Sequence, residues 1–236
     1  MMKHKVTITL LIIAFILATV LGVNKYKENQ RYESYISLHL INDISSLTTD
    51  LLQNQRIYND ILQFDIITPE QVESLHNNNY SLGKVTQDLH YLSTVLQRTE
   101  HDEIRNITAN NASDIGYFFT ELIWDKAERE GIDNDARVYH LPYGLPSLIE
   151  FEIEQDEKEK IEMIKELNER WLNAVANNIE DFSENQILNL NLSVDYYEKN
   201  AIKQEFWVDL IVQMEMETKE FLSENNYLDK IGTKLN

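Results

Sequence analysis

The hydrophobic pattern of this chain changes from one continuous apolar run to a helical repeat. Residues Val6 to Val23 contain no charged side chain over 18 positions. As a helix, such a run rises about 27 Å, which matches the hydrocarbon core of a bilayer. A secretory signal has a shorter apolar segment of about 7 to 15 residues and a small-residue cleavage site. Since Val20-Leu21-Gly22 is a poor cleavage site, the pattern predicts an uncleaved membrane anchor over residues 1–26.

The basic residues on either side of this run are nearly balanced in number. Lys3 and Lys5 precede it, and Lys25, Lys27 and Arg31 follow it. A very short N-terminus usually stays inside the cell, and long domains translocate with little regard to their charge. We therefore expect a single-pass plasma-membrane protein whose C-terminal domain lies outside the cytoplasm.

Beyond the run, apolar residues recur at spacings of three and four, which is typical of amphipathic helices. Five such segments follow one another with almost no strand pattern. The pattern predicts an all-α fold, with an N-terminal transmembrane helix followed by an up-and-down bundle of about five long amphipathic helices. The predicted core faces are Leu40, Ile44, Leu47, Leu51, Tyr58 and Ile61; Leu75, Leu82, Val85, Leu89, Leu92 and Leu96; Ile104, Ile107, Ile115, Phe118, Leu122 and Ile123; Ile161, Ile164, Trp171, Val175, Ile179 and Phe182; and Ile202, Phe206, Leu210, Met214 and Phe221, on a helix from about Val194.

Several helix ends have local signals. Thr68-Pro69-Glu70-Gln71 has the residues of a capping box, with proline at the first helical position. Gly131 suits the left-handed position after a helix. Pro142 and Pro146 then interrupt any helix. These signals predict a three-helix half over 27–131, a linker loop over 132–147 and a two-helix half over 148–236.

One short stretch departs from the helical pattern. Ile149 to Glu154 alternates apolar and acidic residues at period two. Such alternation is typical of a strand, but no other run along the chain is an obvious partner for it. We favour a helix start or an extended edge here.

The charge of the chain is strongly acidic and unevenly distributed. There are 21 basic and 40 acidic residues, a net charge of −19, and five of the basic residues but one of the acidic ones precede position 32. The remainder has 16 basic and 39 acidic residues, a net charge of −23. Nucleic-acid binding is therefore not expected, because it depends on Lys and Arg. The acidic excess serves solubility, a cation or a basic partner.

The acidic stretch from Glu150 to Glu169 also contains basic residues and is interpreted as a solvated, salt-bridged face. Three pairs stand four residues apart, a spacing that favours ion pairs on a helix. They are Glu154 with Lys158, Asp156 with Lys160, and Glu166 with Arg170.

The sequence contains no recognisable catalytic or metal-binding motif. Cysteine is absent, and Glu73-Ser74-Leu75-His76 is a single Glu-x-x-His pair, where di-iron bundles need two. Trp124, Trp171 and Trp207 lie on or beside apolar helix faces and are expected to pack in the core. We therefore predict no catalytic residue, no metal and no cofactor.

The predicted linker contains the best candidate site. Arg137, Tyr139, His140 and Tyr143 bring hydrogen-bonding side chains together on a loop stiffened by proline. Loops held by rigid scaffolds often bind ligands or partners. The alternative is a simple turn whose tyrosines fold onto helix ends.

These observations favour an extracytoplasmic protein-interaction or structural accessory module that has a protein partner. A small-molecule or cation binding or sensing module is the alternative, and an enzyme is less expected. The oligomeric state stays open.

Overall fold

A computed structural model describes residues 2–99, 105–132, 149–179 and 200–225. Within these ranges there are five α-helices, two short strands and one 3₁₀ helix. They are α1 Met2–Phe64, β1 Ile66–Ile67, α2 Pro69–Val95, α3 Ile107–Arg129, β2 Phe151–Glu152, α4 Gln155–Asn178, the 3₁₀ helix Ala201–Lys203 and α5 Phe206–Asn225.

The predicted all-α fold is confirmed, with a long apolar first helix and a helical bundle. The chain divides into two compact units. The N-terminal unit comprises residues 1–42 and 193–204, and the bundle unit comprises residues 43–192 and 205–236. Helix α1 passes from one unit into the other and is unbroken at residue 26, where the sequence suggests the end of the anchor.

In the N-terminal unit, the 3₁₀ helix is attached to α1 by two polar contacts. The backbone N–H of Ile202 donates to Ser37 Oγ at 3.1 Å, and Lys203 forms an ion pair with Glu33 at 2.7 Å. The serine hydroxyl therefore satisfies a buried backbone donor at the start of this short element.

The bundle unit has a core built from all of its helices. The largest side chains in it include the three tryptophans, which are at most 2% exposed, so their predicted core position is confirmed. Other fully buried residues come from every predicted face in the described ranges, and include Leu47, Leu51, Ile61, Leu75, Ile123, Ile164, Leu210 and Phe221. Five predicted core residues are not buried: Leu96 is 38% exposed, and the half-buried ones are Leu92, Ile107, Phe118 and Phe206.

Helix α2 packs closely against α3 at Gly83. A Cβ atom at this position would lie 3.0 Å from the carbonyl oxygen of Ala109 and 3.2 Å from Ser113 Oγ. Glycine lowers helix propensity, so the sequence alone marks Gly83 as a weak point of α2. The structure gives the compensating reason, because a larger residue would force the backbone of Ala109 to move away by a few tenths of an ångström.

The predicted helix ends are confirmed where the structure describes them. Thr68 Oγ1 accepts from the N–H of Gln71 at 3.2 Å, and Gln71 Oε1 accepts from the N–H of Thr68 at 2.9 Å. Gly131 has a φ of 73°, in the left-handed region. Both ends follow from local sequence because their hydrogen bonds and dihedral angles are local.

The stretch from Ile149 to Glu154 contains a paired strand, where the sequence favoured a helix start or an extended edge without a partner. Residues Phe151–Glu152 form β2, which pairs antiparallel with Ile66–Ile67 of β1. The partner was missed because β1 has two residues, too few for an alternating pattern, and lies far away in sequence. The side chain of Phe151 is buried, which explains the apolar half of the alternation.

The predicted fifth helix starts too early. A helix from Val194 would include Gln204, but this residue has extended dihedral angles that separate the 3₁₀ helix from α5. Helix α5 therefore begins at Phe206. Residues 180–199, where the predicted start falls, lie outside the described ranges.

Two of the three predicted ion pairs on α4 are present. Lys160 binds Asp156 at 3.4 Å, and Arg170 binds Glu166 at 2.9 Å. The prediction for Glu154 and Lys158 is wrong: Lys158 binds Asp65 at 2.5 Å, and Glu154 binds Arg129 at 2.6 Å. Tertiary partners replace the local one because the start of α4 lies against Asp65, which follows α1, and Arg129, the last residue of α3.

Candidate functional site

The four predicted site residues, Arg137, Tyr139, His140 and Tyr143, lie outside the described residues. Their joint role on a recognition loop therefore stays a prediction. The described parts of the chain present four other places where function could reside: an apolar segment of α1, a basic face next to it, the polar interior of the bundle unit and an acidic groove on α4.

The apolar segment, residues 10–23 of α1, is exposed over its whole length. An 18-residue window of this helix has a mean hydropathy of 1.7 and no buried residue. By length and composition, α1 is the one helix among the described residues that could cross a membrane. Ten large apolar side chains of the segment are between 47% and 73% exposed: Leu10, Leu11, Ile12, Ile13, Phe15, Ile16, Leu17, Val20, Leu21 and Val23.

A basic face follows the apolar segment on the same helix and consists of Lys27, Gln30, Arg31 and Ser34. These residues line a shallow, open groove. They occupy positions i, i+3, i+4 and i+7, which places them along one side of a helix. Gln30 Nε2 donates to the hydroxyl of Tyr26 at 2.9 Å, so the amide is held by its neighbour.

The interior of the bundle unit contains a layer of amide and hydroxyl groups. Asn78 Nδ2 donates to Asn54 Oδ1 at 2.9 Å, and Asn79 Nδ2 donates to the carbonyl of Leu75 at 2.7 Å. Asn79 Nδ2 also lies 3.5 Å from the hydroxyl of Tyr58. Burial raises the pKa of Tyr58, and the hydrogen bond with Asn79 opposes that shift. Asn54 Nδ2 and Asn79 Oδ1 are buried without a hydrogen-bond partner among the described residues. The bond between Asn78 and Asn54 nevertheless joins α2 to α1 and helps to fix their register.

Glu215 is a buried carboxylate that holds the start of α3. Its Oε1 accepts from the N–H of Arg105 at 2.7 Å and of Ile107 at 3.0 Å, and its Oε2 accepts from the N–H of Thr108 at 3.1 Å. The N-cap residue of α3, Asn106, makes no side-chain cap of its own. The carboxylate of α5 therefore satisfies helix N–H groups that no local residue caps.

The void beside Glu215 is too small to bind a ligand. Its volume is about 10 Å³, at the lower limit for a single water molecule. Sequence analysis missed this carboxylate, whose signal is an acidic residue on an otherwise apolar face of α5, next to Met214. Its role is to join α5 to α3, and the geometry leaves no space for substrate.

Lys126 and Glu157 form a second buried charged contact. Their side chains lie 2.6 Å apart and are 7% and 9% exposed. Lys126 Nζ also donates to the carbonyl of Glu152, and Glu157 Oε2 accepts from the N–H of Glu154, both at 2.6 Å. With each charge paired and hydrogen-bonded, the contact fastens α3 to β2 and to the start of α4.

The acidic groove on α4 has a volume of about 620 Å³ and a wide opening to solvent. Its lining residues are Asp156, Glu159, Lys160, Glu162, Met163, Glu166 and Asn225. Part of its negative charge is neutralised, because Lys160 binds Asp156 and Arg170 binds Glu166. Among the described residues, no three His, Cys, Asp or Glu side chains are placed to hold a metal ion.

Two carboxyl groups of the bundle unit are shifted by burial. Burial raises the pKa of Asp50, and hydrogen bonds with Ser81 and Ser46 oppose that shift. Burial also raises the pKa of Asp114. The two side chains lie on different helices, and no described contact joins them into an acid–base pair.

Comparisons of this chain with family models, with curated proteins and with solved structures found no match.

Proposed function

We propose that this protein is a single-pass plasma-membrane protein whose helical bundle lies outside the cytoplasm and acts as a protein-interaction or structural accessory module. The observation that carries the proposal is the exposure of the apolar segment on α1, a helix that continues into the bundle core. One covalent element thus belongs to both the anchor and the folded domain.

The apolar character of the segment supports a lipid environment. Leu10, Leu11, Ile12 and Ile13 are consecutive, and consecutive helix residues point about 100° apart, so the segment is apolar on all sides. Soluble monomers rarely expose an apolar patch of more than a few hundred Å². A bilayer core covers such a surface without needing any polar partner on the helix.

The orientation rests on size and charge. The chain beyond Arg31 carries a net charge of −23, and long domains translocate regardless of their charge. The flanking basic residues are nearly balanced and therefore do not oppose this topology. We place the acidic bundle outside the plasma membrane.

The polar groups of the bundle interior favour an interaction role over ligand binding. The amides of Asn54, Asn78 and Asn79 bind one another or the backbone, and Glu215 binds helix N–H groups. Groups used in this way hold helices in register, and a ligand would have to displace them. The surfaces left for recognition are external, and they include the predicted loop over 132–147.

Membrane fractionation tests the anchor. Wild-type protein should remain in the membrane pellet after high-salt and alkaline washing, with Met1 or Met2 as its N-terminus by mass spectrometry. Replacing Leu11 and Leu17 with Arg should release it, because each charge near the centre of a spanning helix costs about 3 kcal/mol. The matched control is Leu38→Arg, on an exposed leucine of the same helix outside the apolar segment. Recovery of soluble wild-type protein that begins near Val23 would show a cleaved signal instead.

Protease treatment of intact cells or spheroplasts tests the orientation. External protease should remove the acidic domain while a cytoplasmic marker stays intact. Protection of the domain until lysis would reverse the topology.

The interaction role is tested on the predicted loop. Replacing Arg137, Tyr139, His140 and Tyr143 with Ala should abolish capture of a cross-linked partner in the native membrane and leave the unfolding transition unchanged. Exposed loop side chains contribute within about 0.5 kcal/mol to folding, whereas Tyr and Arg anchors contribute about 2 kcal/mol or more to an interface. A large loss of stability would mean that the tyrosines pack against helix ends.

A further inference from the structure

We infer that the basic face of α1, formed by Lys27, Gln30, Arg31 and Ser34, binds the phosphate of an anionic lipid headgroup at the surface of the bilayer. This inference rests on the proposed membrane anchor and adds a lipid specificity to it.

The first argument is that the cations of this face are not neutralised within the described protein. Lys25 binds Glu28 at 2.8 Å, and Lys203 binds Glu33 at 2.7 Å. By contrast, neither Lys27 nor Arg31 forms an ion pair with any residue that the structure describes. Lys27 and Arg31 stand one helical turn apart, so two unpaired cations on the same side of the helix attract an external anion locally.

The second argument is the chemistry of the four side chains. Arg presents a planar fork of donors that matches phosphate oxygens, and Lys adds a mobile point charge. The Gln30 amide and the Ser34 hydroxyl add neutral donors along the same groove. The bond from Gln30 to Tyr26 uses one of the two N–H groups of the amide and leaves the other for the ligand.

The third argument is position along the helix. At about 1.5 Å per residue, the Cα atoms of Lys27 and Arg31 lie about 6 Å and about 12 Å beyond Val23. The headgroup layer extends about 5 to 8 Å from the hydrocarbon core. Because side chains in an α-helix lean toward its N-terminus, Lys27 and Arg31 lean back toward the apolar segment. Their long stems allow the charged groups to reach the headgroup layer.

The fourth argument is that tyrosines accompany the face. Tyr26, Tyr32 and Tyr35 are each about 60% exposed on the same stretch of α1. Tyrosine is enriched where membrane helices leave the hydrocarbon core, because its ring is apolar and its hydroxyl is polar. The face therefore continues an apolar surface directly into a headgroup layer, which makes a lipid the occupant rather than a soluble anion.

The test uses the full chain in phosphatidylcholine vesicles that contain a minor fraction of phosphatidylglycerol. After gentle detergent extraction, native mass spectrometry counts the lipids that remain bound. Wild-type protein should retain more phosphatidylglycerol than phosphatidylcholine, relative to their fractions in the vesicle. In the double variant Lys27→Gln with Arg31→Gln, this preference for phosphatidylglycerol should fall about tenfold, because each basic residue near the surface raises the affinity for an anionic lipid several-fold. The matched control, Arg56→Gln with Lys84→Gln, removes two exposed cations from the bundle unit and should keep the preference.

Each contrary result has a distinct meaning. An unchanged preference in the double variant, or an equal loss in the control, would overturn the lipid site. Binding of radiolabelled inorganic phosphate by wild-type protein in pure phosphatidylcholine vesicles, abolished in the double variant, would show a soluble-anion site and overturn the lipid assignment. Flotation of the protein with the vesicles after an alkaline wash is measured in parallel. If the protein does not float with the vesicles, the membrane anchor is overturned. If it floats with them but shows no preference for phosphatidylglycerol, only the lipid site is overturned.

Discussion

The most apolar segment of this protein is exposed, and its buried interior contains charges and amides. Residues 10–23 of α1 present ten large apolar side chains and no charge. The interior of the bundle unit includes Lys126, Glu157 and Glu215, all less than 10% exposed. In a protein surrounded by water alone, an apolar segment of this length would be buried, whereas buried charges are found where they are paired.

The two regions differ because their surroundings offer different hydrogen-bond partners to polar side chains. A bilayer core offers no partner to a polar side chain, so a lipid-facing helix must be apolar on every side. In the bundle unit, every buried charge named here meets an opposite charge or a backbone group. Polar residues are therefore tolerated in the interior wherever a second element supplies their partner.

The largest expected difference between the two regions is the loss in free energy of unfolding when a leucine is replaced by alanine in each of them. Leu51→Ala should lower the free energy of unfolding of the bundle by about 2 to 5 kcal/mol, because Leu51 is fully buried and its removal leaves a cavity. Leu17→Ala should change it by less than about 0.5 kcal/mol, because Leu17 is 58% exposed.

Both variants are measured as full chains in detergent micelles by urea unfolding. Tryptophan fluorescence reports on the bundle alone, since Trp124, Trp171 and Trp207 all belong to the bundle unit. Equal effects of the two substitutions would mean that the apolar segment packs against protein.

A smaller effect is expected from the buried carboxylate of α5. Glu215→Gln should lower the free energy of unfolding by about 2 kcal/mol, because the amide has one acceptor oxygen for three backbone N–H groups and loses the negative charge. The same change at the exposed Glu220 should stay within about 0.5 kcal/mol. Identical urea midpoints for the two variants would show that Glu215 is not needed to hold the start of α3.

The smallest effect concerns pH. Because burial raises the pKa of Asp50 in the folded state, ionisation of this group works against folding. The protonated carboxyl group of Asp50 is compatible with burial, so its contribution to the free energy of unfolding is fully present below the unfolded-state pKa. That contribution is lost as pH rises through the folded-state pKa and the group becomes charged. Asp50→Asn should leave stability at low pH unchanged and raise it at neutral pH by about 0.5 kcal/mol, a small gain because the group is only partly buried.

A pH series of urea midpoints checks this prediction. The control is Asp60→Asn, on an exposed aspartate of the same helix, whose curve should overlay the wild-type curve. The urea midpoint of Asp50→Asn should still fall somewhat as pH rises, because burial also raises the pKa of Asp114. A loss of stability at neutral pH would contradict the prediction.

Several features of the fold were predictable because their causes are local. The capping box at Thr68 and the left-handed Gly131 depend on residues within one helical turn. The buried tryptophans and most residues of the core faces follow from the 3.6-residue period. The Glu154–Lys158 pair failed for the opposite reason, since Asp65 and Arg129 compete for these side chains from elsewhere in the chain.

The candidate sites also differ in how far the local sequence indicates them. The loop with Arg137, Tyr139, His140 and Tyr143 was proposed from composition and stays a prediction. The basic face could have been found from its spacing, because Lys27, Gln30, Arg31 and Ser34 repeat at i, i+3, i+4 and i+7 directly after an apolar run. What the sequence could not indicate is which cations have protein partners, since Lys203 reaches Glu33 across more than 160 residues.

The sequence by itself determined that the chain is helical, that it carries one segment apolar enough to cross a membrane, and where several helices start and stop. These properties depend on side chains within a few residues of one another, so a linear pattern contains them. Tertiary structure alone decided that Ile66–Ile67 pairs with Phe151–Glu152, that Gly83 lies against the backbone of α3, and that Glu215 holds the start of that helix. Each of these contacts joins residues separated by more than 20 positions, and only the packing of whole helices brings them together.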